Sequence, residues 1–167
     1  MGIVERDFYA EDLHPIDIVE TLAEERSWEF DRIAEDQIAM AIEGTWRTYS
    51  VTLAWAPSDE TLRLVCAFEM KPPSRRMGAI WKAMALANDR CWSGAFVLWP
   101  DEGLMVYRYS LNCTGGHAPG SAQIKDIVRA ALAACERFYP AFQLVAWGRE
   151  TPEKALGIAI AEAYGRA

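Results

Sequence analysis

The sequence is poor in the residues that bond-making chemistry needs. Histidine occurs twice in 167 residues, as His14 and His117. The four cysteines, Cys66, Cys91, Cys113 and Cys135, form no CxxC pair. A structural zinc site wants closely spaced thiolates and imidazoles, and two ligands, Cys113 and His117, are too few. A thiol–imidazole nucleophile at the same pair would need a third group to orient the base. Cys113 instead ends a strand in phase with Tyr109 and Leu111, which points it toward packing, the ordinary role of a free cysteine. GxSxG, HExxH, Walker and GxGxxG motifs are all missing. Gly115-Gly116 precedes a helix start, where free N–H groups can hold an anion. The segment has no lysine, however, and reads as an ordinary loop. The carboxylate pairs Glu35-Asp36, Asp59-Glu60 and Asp101-Glu102 fall in turns, whereas acid–base work needs burial. No catalytic residue, cofactor ligand or metal ligand is assigned, and an enzyme is not expected.

Long apolar runs are also missing, since none approaches the ~20 residues that span a bilayer. Residues 1–12 carry Glu5, Asp7, Glu11 and Asp12 and lack the basic-then-apolar order of a secretion signal. Arg6 stands where a myristoylation signal wants Ser or Thr. A cytoplasmic protein without membrane insertion is expected. The net charge of −7 repels phosphate backbones and anionic membranes, so nucleic acid is not an expected partner. Arg75, Arg76 and Lys82 form the best basic patch and read as a solvated helix face.

What is present is ordinary globular material, 51% hydrophobic and 25% charged. A flexible N-terminal arm is expected over residues 1–13, followed by one α+β domain over residues 14–167. Pro15 opens a helix with an apolar stripe of Ile16, Val19, Leu22 and Ala23. From Trp28 the period becomes two. Trp28 and Phe30, then Ile38, Met40 and Ile42, then Tyr49 to Trp55, then Leu62 to Met70 read as four strands of an antiparallel meander. After Pro72-Pro73, Ser74 is placed to cap a helix carrying Met77, Ile80, Trp81 and Met84. Two more strands, Ala95 to Trp99 and Met105 to Leu111, flank the turn at Pro100 to Gly103. A long helix from Ile124 follows and should kink at Pro140. Thr151-Pro152 opens the last helix. The predicted order is α-β-β-β-β-α-β-β-α-α, with an antiparallel sheet of about six strands and helices on one face.

The excess is in tryptophan: Trp28, Trp46, Trp55, Trp81, Trp92, Trp99 and Trp147. Core packing is expected to account for most of them. Trp46 lies off the Tyr49-to-Trp55 face. With Phe8, Tyr9 and Met70 it is the candidate partner-binding or dimer surface. An exposed strand edge could take a partner segment by β-addition. The alternative is a small-molecule sensor with a pocket between sheet and helices.

Several short motifs, taken in order, resemble the YbjN-domain family in its alphaproteobacterial branch. They are Gly44-x-Trp46-x-x-Tyr49, Trp55, Leu62, Cys66-Ala67-Phe68, Pro73-x-Arg75-Arg76, Asn88 and Trp92-x-Gly94-x-Phe96. The Gly103 to Tyr109 strand and the run Ala134 to Phe142 continue the likeness. The resemblance implies a fold like that of type III secretion chaperones. It also implies a bacterial sensory transduction regulator, linked with stress response, motility and surface polysaccharide. It brings no catalytic residue and no cofactor. The resulting expectation is a non-enzymatic, homodimeric regulatory or chaperone-like module that binds a protein partner.

Overall fold

The computed structural model describes residues 13–165. Helix α1, Pro15–Glu25, begins on proline, and the half-buried His14 caps it by accepting the Ile16 N–H at Nδ1 (3.1 Å). Its far end is closed by two crossed bonds, Ser27 N–H to Glu24 O (3.1 Å) and Trp28 N–H to Ala23 O (2.9 Å). This arrangement puts Ser27 in the left-handed region at φ 55°, where glycine is the usual occupant.

The meander follows as β1 (Glu29–Ala34), β2 (Gln37–Glu43), β3 (Thr48–Ala56) and β4 (Thr61–Glu69). A short 3-10 turn, Ser74–Arg76, leads into α2 (Met77–Asn88). Then come β5 (Ala95–Trp99), β6 (Leu104–Asn112), α3 (Ser121–Ala146) and α4 (Pro152–Gly165). The order is the one expected. The sheet is antiparallel throughout and runs β1-β2-β3-β4-β6-β5.

Register explains which face is covered. One row crosses all six strands as Phe30, Met40, Val51, Cys66, Tyr107 and Phe96. The neighbouring row, one residue out of phase, reads Asp31, Ala39, Thr52, Val65, Arg108 and Ala95. Because side chains alternate, the first row faces the helices and the second faces away. The core is ringed by phenylalanine and tyrosine. Phe96 meets Phe142 and Tyr107 at 5.2 Å and Phe138 at 5.8 Å, all edge to face. Tyr49, Phe68 and Tyr139 form a second such group. These rings occupy the layer between sheet and helices, the place of the alternative ligand pocket.

One helix start departs from expectation. Ser74 does not cap α2. The cap position is Arg76, without a side-chain cap bond. The Arg76 guanidinium reaches across to the carbonyls of Val145 (2.8 Å) and Glu150 (2.7 Å), tying the start of α2 to the end of α3. Lys82 pairs with Glu153, so the expected patch of Arg75, Arg76 and Lys82 is not a free cationic face. Helix α3 continues through Pro140 to Ala146.

A single carboxylate fastens α3 to the meander. Glu136 accepts the Thr45 N–H (2.8 Å), the Trp46 N–H (3.4 Å) and the buried Tyr49 hydroxyl (2.7 Å). Glycine is required at 44 for this approach, because a Cβ there would collide with the Glu136 carboxylate and stand 2.7 Å from the Tyr49 ring. Burial pushes the Glu136 pKa up. The Tyr49 hydroxyl and the Thr45 and Trp46 amides outweigh that and hold it below the ordinary 4.5. Burial, followed by the Glu136 bond, drives the Tyr49 hydroxyl well above its ordinary range, so it remains a donor.

Two outcomes follow for stability. Ser27→Gly relieves a left-handed serine and should raise stability by about 0.5–1 kcal/mol in urea unfolding. Glu136→Gln should cost about 1.5–3 kcal/mol at neutral pH, since it weakens bonds to a charged acceptor. With the folded pKa below the unfolded one, this difference is complete above the unfolded value and fades as pH falls through the folded one. A wild-type-minus-variant difference that stays constant from neutral pH down to about pH 3 would contradict the charged clasp.

Candidate functional site

The groove beside Glu136 arises from unequal helix lengths. Helix α1 has 11 residues and α3 has 26, so they run about 16 and 39 Å on the same sheet face. Where α1 stops, the chain drops through Arg26 and Ser27 to Trp28 and leaves a gap against α3. The gap is a cavity of about 420 Å³. Trp28, Val128, Leu132 and Ala133 supply its apolar surface. Arg26, Lys125, Arg129 and Glu136 supply the polar surface. Lys125, Arg129, Leu132 and Glu136 fall on successive turns of one side of α3.

The three cations are unusual in a chain of net charge −7. Arg129 pairs with Asp126 at 2.6 Å. Arg26 and Lys125 make no ion pair among the described residues. Among the described residues the one acid lining the groove, Glu136, already takes the Thr45, Trp46 and Tyr49 donors.

The candidate surface from the sequence is not assembled as expected. Trp46 is 49% exposed and sits in the β2–β3 turn, where the Glu136 bond holds its backbone beside the groove. Met70 is in the core at 2% exposure, with its N–H on Gly103 O, and does not belong to a surface. Its place in the Leu62-to-Phe68 alternation turns it inward. Phe8 and Tyr9 lie outside the described residues, as does nearly all of the expected arm. The tryptophan expectation is overturned: none of the seven is fully buried. Trp28, Trp55 and Trp99 are half-buried, while Trp46, Trp81, Trp92 and Trp147 are exposed, Trp92 by 98%. Phenylalanine and tyrosine fill the core in their place. The cationic patch was missed because Arg26 and the pair Lys125 and Arg129 are about a hundred residues apart in sequence.

The edge strands differ in how open they are. On β5, the outward N–H of Phe96 donates to the Asn88 side chain (2.7 Å), and its C=O accepts from the same amide (3.0 Å). Asn88 thus imitates a neighbouring strand at Phe96 and obstructs β-addition at that point of the edge. On β1, the register slips between Arg32 and Ala34, so Ile33 is bulged outward and 55% exposed.

Elsewhere, Cys113, His117, His14 and Glu60 share a cavity of about 310 Å³ with Trp55. Burial pushes the Cys113 thiol pKa up, which keeps it protonated and a poor nucleophile. No group of three or more possible metal ligands occurs among the described residues. Cys66 and Cys135 are fully buried thiols whose sulfurs lie 3.5 Å apart. The hydrogen bond to Cys66, followed by burial, drives the Cys135 thiol far above its ordinary range. No described helix is long and apolar enough to cross a membrane.

Comparison with known proteins adds a family. The model of the YbjN family, described as "Putative bacterial sensory transduction regulator", matches residues 15–144. The crystal structure of YbjN from E. coli is similar at a TM-score of 0.50 and 11% identity, covering 90% of this chain and 92% of that one. At that identity the likeness concerns the fold alone. The HopA1–SchA chaperone–effector complex matches at a TM-score of 0.48 and 18% identity, over 72% of this chain and 91% of that one. No curated protein matches the sequence. With the family model running from the start of α1 into the last turn of α3, the chain belongs to the YbjN family.

Proposed function

We propose that this chain is a non-enzymatic, cytoplasmic regulatory module that binds another protein in the groove between the end of α1 and α3. The observation that carries this reading is the groove itself. It has an apolar floor at Trp28 and Leu132 and cations on its rim, and the exposed Trp46 is held by its backbone to Glu136 at one end. Half-buried aromatic and aliphatic floors rimmed by charge are the usual anatomy of a transient interface. Membership of a family described as sensory transduction regulators agrees with a binding role. A function in stress response, motility or envelope regulation is the finer proposal that membership suggests. Addition of a strand at β5 is disfavoured by the Asn88 bonds to Phe96.

A homodimer is part of the same proposal, and its natural contact is a second surface. Trp147 lies 22 residues along the chain from Lys125, about 33 Å at helical rise. With Trp81 and Trp92 it marks exposed aromatic area on and around α2 and the end of α3. The two surfaces can therefore serve different contacts.

The test is position-specific photocrosslinking in the native cell. Ala133→p-benzoylphenylalanine is expected to give discrete higher-mass adducts, and Glu102→p-benzoylphenylalanine, in the β5–β6 turn, is not. Leu132→Asp combined with the Ala133 probe should abolish them by more than about tenfold, because a carboxylate replaces apolar contact. Adducts of equal yield at both positions, or none at Ala133, would contradict a contact at the groove.

A further inference from the structure

We infer that the groove takes an acidic amphipathic segment of another protein, seated with its acidic end toward Lys125 and Arg129. This rests on the groove being the protein-binding site. The first argument is charge. A chain with 24 acidic and 17 basic residues nevertheless gathers Arg26, Lys125 and Arg129 around one apolar floor. Of these, Arg26 and Lys125 have no carboxylate partner among the described residues. Such a local reversal of sign steers an anionic ligand toward the groove and away from the rest of the surface.

The second argument is spacing. Lys125, Arg129, Leu132 and Glu136 extend over 11 residues of α3, or about 16 Å. That length matches about three turns of a helix laid alongside, with apolar side chains at i and i+4 against Leu132 and Trp28. The third argument fixes direction. Glu136 sits at the opposite end of this row, held ionised by the Tyr49 hydroxyl and the turn amides. A carboxylate on the ligand would be repelled there and attracted at the Lys125 end. The Glu136 end, beside Trp46, favours an apolar residue.

The chain's own Glu5, Asp7, Phe8, Tyr9, Glu11 and Asp12 have comparable chemistry, and a second copy of the chain could bring them in trans. The experiment separates these sources. A labelled synthetic peptide of about three helical turns is titrated against the full chain by fluorescence anisotropy. It carries glutamates at its N-terminal half and leucine and phenylalanine at i and i+4. Controls are the same peptide with lysine for glutamate and the reversed-polarity peptide.

Saturable binding of the acidic peptide is expected, weakening with salt. It should fall by about tenfold or more in Lys125→Glu/Arg129→Glu, two exposed positions whose thermal unfolding serves as the folding control. Equal binding of the lysine peptide, or no loss in the double variant, would overturn the proposal. If removal of residues 1–12 tightened peptide binding by about tenfold, the chain's own segment would be the occupant. A change of mass by light scattering in the double variant would point to a second copy. Either result also overturns the proposal. Loss of Ala133 crosslinks altogether would sink the groove as a protein site. Crosslinks that persist undiminished in the double variant would sink only the acidic partner.

Discussion

One carboxylate holds the two halves of the fold in register. Glu136, in the middle of α3, receives two backbone amides from the β2–β3 turn and the hydroxyl of Tyr49, a separation of 87 residues in sequence. The bond sits at the margin of the core, where donors are desolvated enough to matter and the carboxylate keeps its charge. It also explains why the turn needs Gly44, since the carboxylate and the Tyr49 ring occupy the space of a Cβ. Gly44, Trp46, Tyr49 and Glu136 all lie in the runs that carry the family resemblance, and the structure brings them to one place.

From that anchor the groove follows as a packing consequence. The sheet offers one apolar face, but α1 is too short to cover it to the end at which β1 begins. Its terminal bonds turn the chain at Ser27 and deliver Trp28 to the uncovered margin. Helix α3 supplies the other wall, with its cations at one end and the clasped Glu136 at the other. A site of this kind can recognise charge pattern and apolar spacing. It holds no constellation of nucleophile, base and orienting group.

The sheet and its covered face were legible in the sequence because period two is a strong local signal. Ile38-Met40-Ile42 and Tyr49-Val51-Leu53 alternate with small or polar residues, and each falls in the core. Met70 shows the cost of setting that signal aside. The alternation that places Phe68 inside places Met70 inside too, in the core and not on a surface. Tryptophan abundance misled for a different reason. Composition counts large apolar residues but does not say which fit, and the interior is filled by edge-to-face Phe and Tyr rings. The groove was not legible at all. Its walls meet only after the meander and the β5–β6 hairpin have placed α3 beside α1. Likewise the role of Asn88, bonding Phe96 at the β5 edge through its amide, depends on a helix ending beside a strand.

The most direct measurement is backbone hydrogen–deuterium exchange on the full chain, free and saturated with a bound acidic peptide or native partner. Slowed exchange is expected in three separated stretches: Arg26 to Trp28, Gly44 to Arg47, and Lys125 to Glu136. Protection confined to the segment from Trp81 to Trp92, or to the β1 edge with α3 unchanged, would contradict a contact surface built around Glu136.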